Sequence, residues 1–250
     1  MLDFTVETAK KAGTYLRENF RKALELEYKG RIDLVTGIDR GSQDMVVDSI
    51  TRSFPGHSII AEEGVSLDKG GEYTWYVDPL DGTVNYVHRI PFFCVSLAVY
   101  RNSRPHIGVC YNPVSGHLFH AQAGKGAFCN GERITVSGSS RLVESLVATG
   151  FSYSLAGLED SMARFSRILS EARGIRRLGS AALDLCFVAS GSFDGFWEIG
   201  LKPWDMAAGV VILLEAGGTV SGLDGAEFDL GRGDILASNG RIHQALAELM

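Results

Sequence analysis

The residues best suited to chemistry in this chain are three groups of acids, each placed where an apolar run stops. They are Ala61-Glu62-Glu63-Gly64, then Asp78-Pro79-Leu80-Asp81-Gly82-Thr83, then Trp204-Asp205. In the second group Pro79 fixes its own φ and has no N–H for a β-ladder, so the strand before it is expected to end at Asp78. Asp81 can then turn back toward Asp78, and the Leu80 carbonyl between them is a further hard oxygen. Gly82 lets the backbone approach a ligand closely, and Thr83 can open a helix whose N–H groups attract a phosphate. Clustered carboxylates raise one another's pKa unless a cation lies among them. Oxygen donors without Cys or His suit Mg2+ rather than zinc, and paired divalent ions are a recognised arrangement for phosphoryl transfer. The chemistry on offer is metal-assisted reaction at phosphorus, provided the fold brings Glu62, Asp78 and Asp205 together.

Each group has a plainer reading when taken alone. Glu62-Glu63 reads as a solvated loop, Asp78 to Gly82 as a turn, and Asp205 as a helix N-cap. The joint occurrence carries the metal reading. Other candidate motifs fall away. Gly124-Lys125-Gly126 lacks the glycine spacing and the Ser/Thr of a phosphate-binding loop and reads as a tight turn. Asp224, Asp229 and Asp234 do not fit a calcium loop and read as turn residues.

The elements that must position these acids follow from pattern. Leu2, Val6, Ala9, Leu16 and Phe20 give a helical stripe. A second helix is expected after Asp39, through Val46, Ile50 and Phe54, and Pro55-Gly56 stops it. Ser58 to Ala61 and Tyr73 to Val77 read as strands delivering the first two acid groups. Cys94 to Tyr100, His106 to Tyr111 and Leu118 to Gln122 are β-prone runs, and Asn130-Gly131 is a hairpin signal. The C-terminal part alternates. Helices are expected over Leu158 to Ser170, Ala181 to Ala189, Asp205 to Ala216 and Ile242 to Leu249. Strands are expected over Gly174 to Leu178, Phe193 to Glu198, Thr219 to Ser221 and Ile235 to Ser238. Such alternation implies stacked α and β layers. A soft boundary near Arg141 divides residues 1–140, with most candidate metal ligands, from residues 141–250, with the last ligand and the substrate pocket, in one compact unit.

Bulk properties narrow the class. A chain of 250 residues with 45% hydrophobic residues can bury a sizeable core, so a bound metal would serve chemistry rather than folding. The net charge of −6 argues against a nucleic-acid partner. Cys94, Cys110, Cys129 and Cys186 form no CxxC pair and read as buried reduced thiols. The first residues are not a signal peptide, and no apolar run reaches the roughly 18 residues of a membrane span. The expectation is a cytoplasmic protein with no membrane partner.

The three acid groups, extended to Trp204-Asp205-Met206-Ala207-Ala208-Gly209, match the signatures of the lithium-sensitive inositol monophosphatase family. Agreement continues through Asn85-Tyr86-Val87-His88-Arg89 to Pro91, Gly124-Lys125-Gly126-Ala127-Phe128, Gly179-Ser180-Ala181-Ala182 and Glu215-Ala216-Gly217-Gly218. The chain resembles that family over nearly its whole length and in the expected order, with bacterial inositol-1-monophosphatases the nearest type. The resemblance implies an α/β fold, mixed α+β, built as a layered αβαβα sandwich. It implies two or three Mg2+ ions, with Mn2+ able to substitute and Li+ or Ca2+ able to inhibit.

Carried over residue by residue, Glu62, Asp78 and the Leu80 carbonyl would hold one ion, and Asp78, Asp81 and Asp205 a second. Glu63 would support a third through water. Thr83 and Glu62 would orient the attacking water, and the N–H groups of Gly82 and Thr83 would hold the phosphate. Gly179, Ser180, Ala181 and Glu198 would line the alcohol, with Asp81 and Asp205 beside it. Ser180 stands where the family usually has threonine, and Lys29 in the early loop sits one residue closer to Asp33 than in the animal enzymes.

The reaction implied is in-line hydrolysis of inositol 1-phosphate or a similar small polyol phosphate, with no covalent intermediate, by a homodimer. Fructose 1,6-bisphosphate, histidinol phosphate, NADP and 3′-phosphoadenosine 5′-phosphate are the alternative substrates. A non-catalytic metal-binding regulatory protein is the alternative of a different class. The haloacid dehalogenase phosphatases also carry paired aspartates, but closer together and near the chain start.

Overall fold

The computed structural model describes residues 1–22, 26–28, 34–151 and 157–250, and the early loop around Lys29 lies outside them. The helices are α1 (Leu2–Asn19), α2 (Gly37–Ser53), α3 (Thr83–Val87), α4 (Leu158–Glu171), α5 (Ala181–Ala189), α6 (Pro203–Glu215) and α7 (His243–Ala247). The strands of the N-terminal part are β1 (Leu26–Tyr28), β2 (Leu34–Thr36), β3 (Ser58–Ala61), β4 (Ser66–Leu67), β5 (Tyr73–Asp81), β6 (Cys94–Arg101), β7 (Arg104–Tyr111), β8 (Leu118–Gln122), β9 (Gly126–Cys129) and β10 (Glu132–Ile134). Those of the C-terminal part are β11 (Leu146–Thr149), β12 (Gly174–Arg176), β13 (Gly195–Ile199), β14 (Thr219–Ser221) and β15 (Asp234–Ser238).

An eight-stranded sheet runs β10-β9-β8-β7-β6-β5-β3-β4, and a five-stranded sheet runs β12-β11-β13-β15-β14. Strand periodicity shows how they stack. In β6, Val95, Leu97 and Val99 point into a core shared with α1 and α2, whereas Cys94, Ala98 and Tyr100 point into a core shared with α5 and α6. In β15, Ile235 and Ala237 join that same α5/α6 core, whereas Leu236 faces Ile168 of α4 and Leu246 of α7. The layers are therefore α1/α2, large sheet, α5/α6, small sheet, α4/α7, which is an αβαβα sandwich. β6 is buried along almost its whole length and so reads as a continuous apolar run rather than an alternating one. Met206 to Leu213 of α6 are buried without exception, as expected of a helix covered on every side.

The central layer is close-fitting. A Cβ on Gly108 of β7 would stand 2.4 Å from the Ala208 carbonyl oxygen of α6, and one on Gly209 would stand 2.6 Å from Leu185 Cβ of α5. These two glycines let α6 lie against both the large sheet and its neighbouring helix.

Several boundaries differ from the sequence reading. β5 does not end at Asp78 but runs to Asp81. Asp78 pairs with Ser96 and Asp81 with Cys94, so Pro79 and Leu80 stand opposite Val95 alone. This bulge tolerates a proline because its residues leave the ladder. Helix α2 begins at Gly37, ahead of Asp39. Asp205 is not an N-cap but lies in the first turn of α6, which opens at Pro203. Asp224 and Asp229 sit in side-chain-closed turns, accepting from the Ala226 and Gly231 N–H groups at 3.0 and 2.8 Å. Asp234, expected in a turn, begins β15. The hairpin at Asn130-Gly131 forms as expected, with φ of 52° and 85°. The Gly124 to Gly126 turn gives two N–H groups to the Glu215 carboxylate, at 2.8 and 2.7 Å, which occupies the place a phosphate would need.

The Gly108 contact yields a stability prediction. Gly108→Ala drives a methyl into the α6 backbone and should cost about 2–3 kcal/mol, read as a lower urea midpoint. An unchanged midpoint would show that α6 can move off the sheet at little cost.

Candidate active site

The acids gather in one cleft of about 280 Å³, lined by Glu62, Asp78, Asp81 and Asp205 together with Leu80, Gly82, Thr83, Gly179, Ser180, Ala181 and Glu198. Glu63 is absent from this lining. Strand geometry explains the first pair. β3 and β5 are parallel neighbours, with Ala61 opposite Val77. The Glu62 N–H bonds the Val77 carbonyl at 3.1 Å, so Glu62 and Asp78 leave adjacent strand ends side by side.

The bulge shapes the next part. Asp78 Oδ1 accepts the Leu80 N–H at 2.9 Å, closing the chain over Pro79. Gly82 then takes φ of 95° ahead of α3, and a Cβ there would lie 3.1 Å from the Phe92 carbonyl oxygen. Both features favour glycine and would strain any larger residue. The Thr83 hydroxyl donates to Asp39 Oδ1 at 3.0 Å and toward the Leu80 carbonyl at 3.1 Å. Its oxygen lone pairs are thereby aimed away from Asp39 and can accept from a water in the cleft.

Two helix N-termini hold the remaining acids. Asp81 Oδ2 accepts the Ser180 hydroxyl and, at 2.9 Å, the Ala182 N–H, so it sits at the electropositive start of α5. Asp205 Oδ2 accepts the Lys202 N–H at 2.7 Å, which fixes it over the start of α6. Asn85 of α3 donates to the carbonyls of Phe92 and Leu178 at 2.7 and 2.8 Å, tying the Gly179 loop to α3. Glu198 leaves the end of β13 and lies over Gly150, where a Cβ would come within 2.1 Å of its carboxyl oxygens.

Electrostatics show that the acids feel one another. Burial pushes Asp78 well above its ordinary range, and the charges of Glu62, Asp81 and Asp205 push it further. Burial raises Asp205 likewise, and Asp81, Glu62 and Glu198 add to it. Asp81 is pushed up to about 6 by burial, against the pull of its bonds from Ser180 and Ala182. Glu198 is pushed up to about 8 by burial, with Arg177 opposing. Among the described residues, no group of three or more His, Cys, Asp or Glu side chains is arranged to hold an ion as it stands. The acids share a cleft rather than a closed cage. Their all-oxygen chemistry fits a hard divalent cation, which would relieve the repulsion that raises Asp78 and Asp205.

Sequence reasoning missed the face of α2 that holds the cleft together. Asp39, Ser42 and Gln43 are buried at i, i+3 and i+4. Asp39 takes Thr83, Ser42 donates to the Pro79 carbonyl at 3.0 Å, and Gln43 pairs with the Glu63 backbone in both directions, at 2.8 and 3.3 Å. One helix face thus fixes both acid segments. The available signal was that these polar residues continue the apolar stripe of Val46 and Ile50.

A model of the inositol monophosphatase family matches residues 1–250. The chain belongs to the inositol monophosphatase family. It is 42% identical to inositol monophosphatase 2 of Solanum lycopersicum, over 98% of this chain and 95% of that one. It is 40% identical to the Nus factor SuhB of Escherichia coli, over 98% and 94%. The crystal structure of the extragenic suppressor protein suhB from Bartonella henselae superposes with a TM-score of 0.95 at 37% identity, covering 99% of this chain and 96% of that one. Members of the inositol monophosphatase family are phosphatases, act on phosphate monoesters and generally depend on Mg2+. No helix among the described residues is long and apolar enough to cross a membrane.

Two predictions follow from the site's physics. Gln43→Leu removes the buried side chain that bonds the half-buried Glu63 backbone and should cost about 1–2 kcal/mol in urea unfolding. The Asp81 pKa sits near 6 when folded against an ordinary 3.8, so between those values the folded chain holds a proton that the unfolded chain has released. Stability therefore falls as pH rises through that window. In EDTA, the wild-type Tm should drop relative to Asp81→Asn between about pH 4 and 6. A relative rise would refute the assigned sign.

Proposed function

We propose that this chain is a Mg2+-dependent phosphomonoesterase that hydrolyses inositol 1-phosphate or a similar small polyol phosphate to the alcohol and inorganic phosphate. The observation that carries this reading is the convergence of Glu62, Asp78, Asp81 and Asp205 on one cleft beside the start of α3. Glu62, Asp78, the Leu80 carbonyl, Asp81 and Asp205 would hold Mg2+, with Glu63 as an outer support. When bound, Mg2+ would supply positive charge against the transferring phosphoryl group and acidify the attacking water.

The chain's own residues do the rest. Glu62 and the Thr83 hydroxyl orient water, and Asp39 fixes that hydroxyl's proton direction. The N–H groups of Gly82 and Thr83 face the phosphate, whose charge develops against the start of α3. Gly179, Ser180, Ala181 and Glu198 contact the alcohol. A buried carboxyl such as Glu198 discriminates by pairing with hydroxyls, since an unpaired acid there costs free energy. The polyol specificity rests on that carboxyl and on the small residues at the start of α5. The relative named as a Nus factor makes direct assay essential, because its name states no hydrolytic activity.

The test is release of phosphate from inositol 1-phosphate, fructose 1,6-bisphosphate, histidinol phosphate, NADP and 3′-phosphoadenosine 5′-phosphate, with Mg2+ and with EDTA. Turnover should require Mg2+ and favour inositol 1-phosphate. Asp81→Asn and Asp205→Asn should each lower kcat by at least about a hundredfold. Wild-type rates in either variant, or no turnover of any ester with Mg2+ present, would refute the reading.

A further inference from the structure

Asp184 is the acid of the cleft that neither the metal set nor the alcohol contacts above employ. It lies on α5 one turn beyond Ser180, with its N–H bonded to the Ser180 carbonyl at 2.9 Å. Helical side chains lean toward the N-terminus, so its carboxyl is directed back over the start of α5, where Ser180 meets Asp81. It lines the cleft with Arg177 and Glu198, yet only 1% of its surface is exposed. Its Oδ1 has no hydrogen-bond partner among the described residues. Burial raises its pKa, the charges of Glu198 and Asp81 raise it further, and only Arg177 opposes them.

An acid in this position works against stability. Every other residue of α5 from Ala181 to Ala189 is apolar, and an apolar residue of similar shape would remove the cost of an unsatisfied oxygen. Structural duty elsewhere in the cleft is already assigned: Ser180 and Ala182 hold Asp81, and Asn85 holds the Gly179 loop. What Asp184 retains is a free oxygen at the wall of a ligand cleft. As a carboxylate it accepts a hydrogen bond, and as a carboxylic acid it donates one. A hydroxyl, which is both donor and acceptor, satisfies it in either state.

We propose that Asp184 is a specificity residue of the cleft, bonding a hydroxyl of the alcohol that carries the phosphate. The assignment rests on the polyol-phosphatase reading above. Glu198 and Asp184 then form two sides of one hydroxyl-reading wall, and Arg177 balances their charge. Esters lacking the hydroxyl leave Asp184 unpaired and are disfavoured for that reason, not for lack of fit.

The experiment compares wild type, Asp184→Asn and Asp184→Leu with Mg2+ present, on inositol 1-phosphate, its monodeoxy analogues and 4-nitrophenyl phosphate, whose leaving group has no other hydroxyl. In wild type, removal of one particular ring hydroxyl should lower kcat/KM by about tenfold or more. In Asp184→Leu the preference for inositol 1-phosphate over 4-nitrophenyl phosphate should fall by about tenfold, mainly through KM, and removal of that same hydroxyl should then cost less than about twofold. Asp184→Asn, which keeps shape and hydrogen-bonding capacity, should retain an intermediate preference. It carries the test if the leucine variant does not fold. A wild type active on polyol phosphates, paired with variants that keep the same substrate ratio and the same deoxy penalty, would overturn the role of Asp184 alone. A wild type that hydrolyses no polyol phosphate would overturn the function reading and this assignment with it.

Discussion

The structure is organised around a conflict: several carboxylates are brought out of water into one cleft, where their neighbours oppose the ionisation of Asp78 and Asp205. Asp78 feels Glu62, Asp81 and Asp205 at once. Such a group does not assemble by itself, because like charges in low dielectric repel strongly. It assembles because rigid parts on separate layers force it. Two parallel strand ends deliver Glu62 and Asp78, a bulge redirects Asp81, and the starts of α5 and α6 hold Asp81 and Asp205. The scaffold stores this repulsion, and a hard divalent cation is the simplest partner that relieves it.

The αβαβα stacking is what makes the forcing possible. α6 carries an acid at its first turn and is then buried along its length between two sheets, so Asp205 cannot retreat without disturbing the central core. α2 acts from the opposite face of the large sheet. Its polar side chains grip the backbone at Glu63 and Pro79 and the hydroxyl at Thr83. The cleft is clamped from both sides of one sheet, and a shift of either helix changes all the carboxylate spacings together.

Much of this was legible in the sequence, and the failures have identifiable causes. The acids lay at the ends of apolar runs, and order and type of most elements followed from periodicity. The end of β5 was misjudged because a proline without an N–H can leave a ladder by a bulge as well as end it, and sequence does not tell these apart. Asp39, Ser42 and Gln43 were passed over because polar residues at a helix start suggest capping and solvent, whereas here they face a buried backbone. Asp184 was passed over for the opposite reason. Its helix reads as apolar core, and the lone acid among Ala, Leu and Val was absorbed into that pattern. A single acid in an otherwise fully buried apolar helix is itself a signal, since burial of a carboxyl is costly unless something bonds it.

The two ends of the cleft then differ in kind. Around Asp78 the neighbours that raise its pKa are all acids, so only added positive charge balances them. Around Glu198 and Asp184 the chain supplies its own counter-charge in Arg177. Backbone openings mark the same division. Gly82 leaves the backbone open at the start of α3, and Gly150 clears space for the Glu198 carboxyl. Under the proposed function, the ligand that satisfies both ends joins an anionic group to a neutral part rich in hydroxyls. A second phosphate in place of those hydroxyls would face Glu198 and Asp184, with Arg177 and Lys202 of the cleft wall to set against them. That division of charge supports the polyol-phosphate reading proposed above on grounds separate from any resemblance.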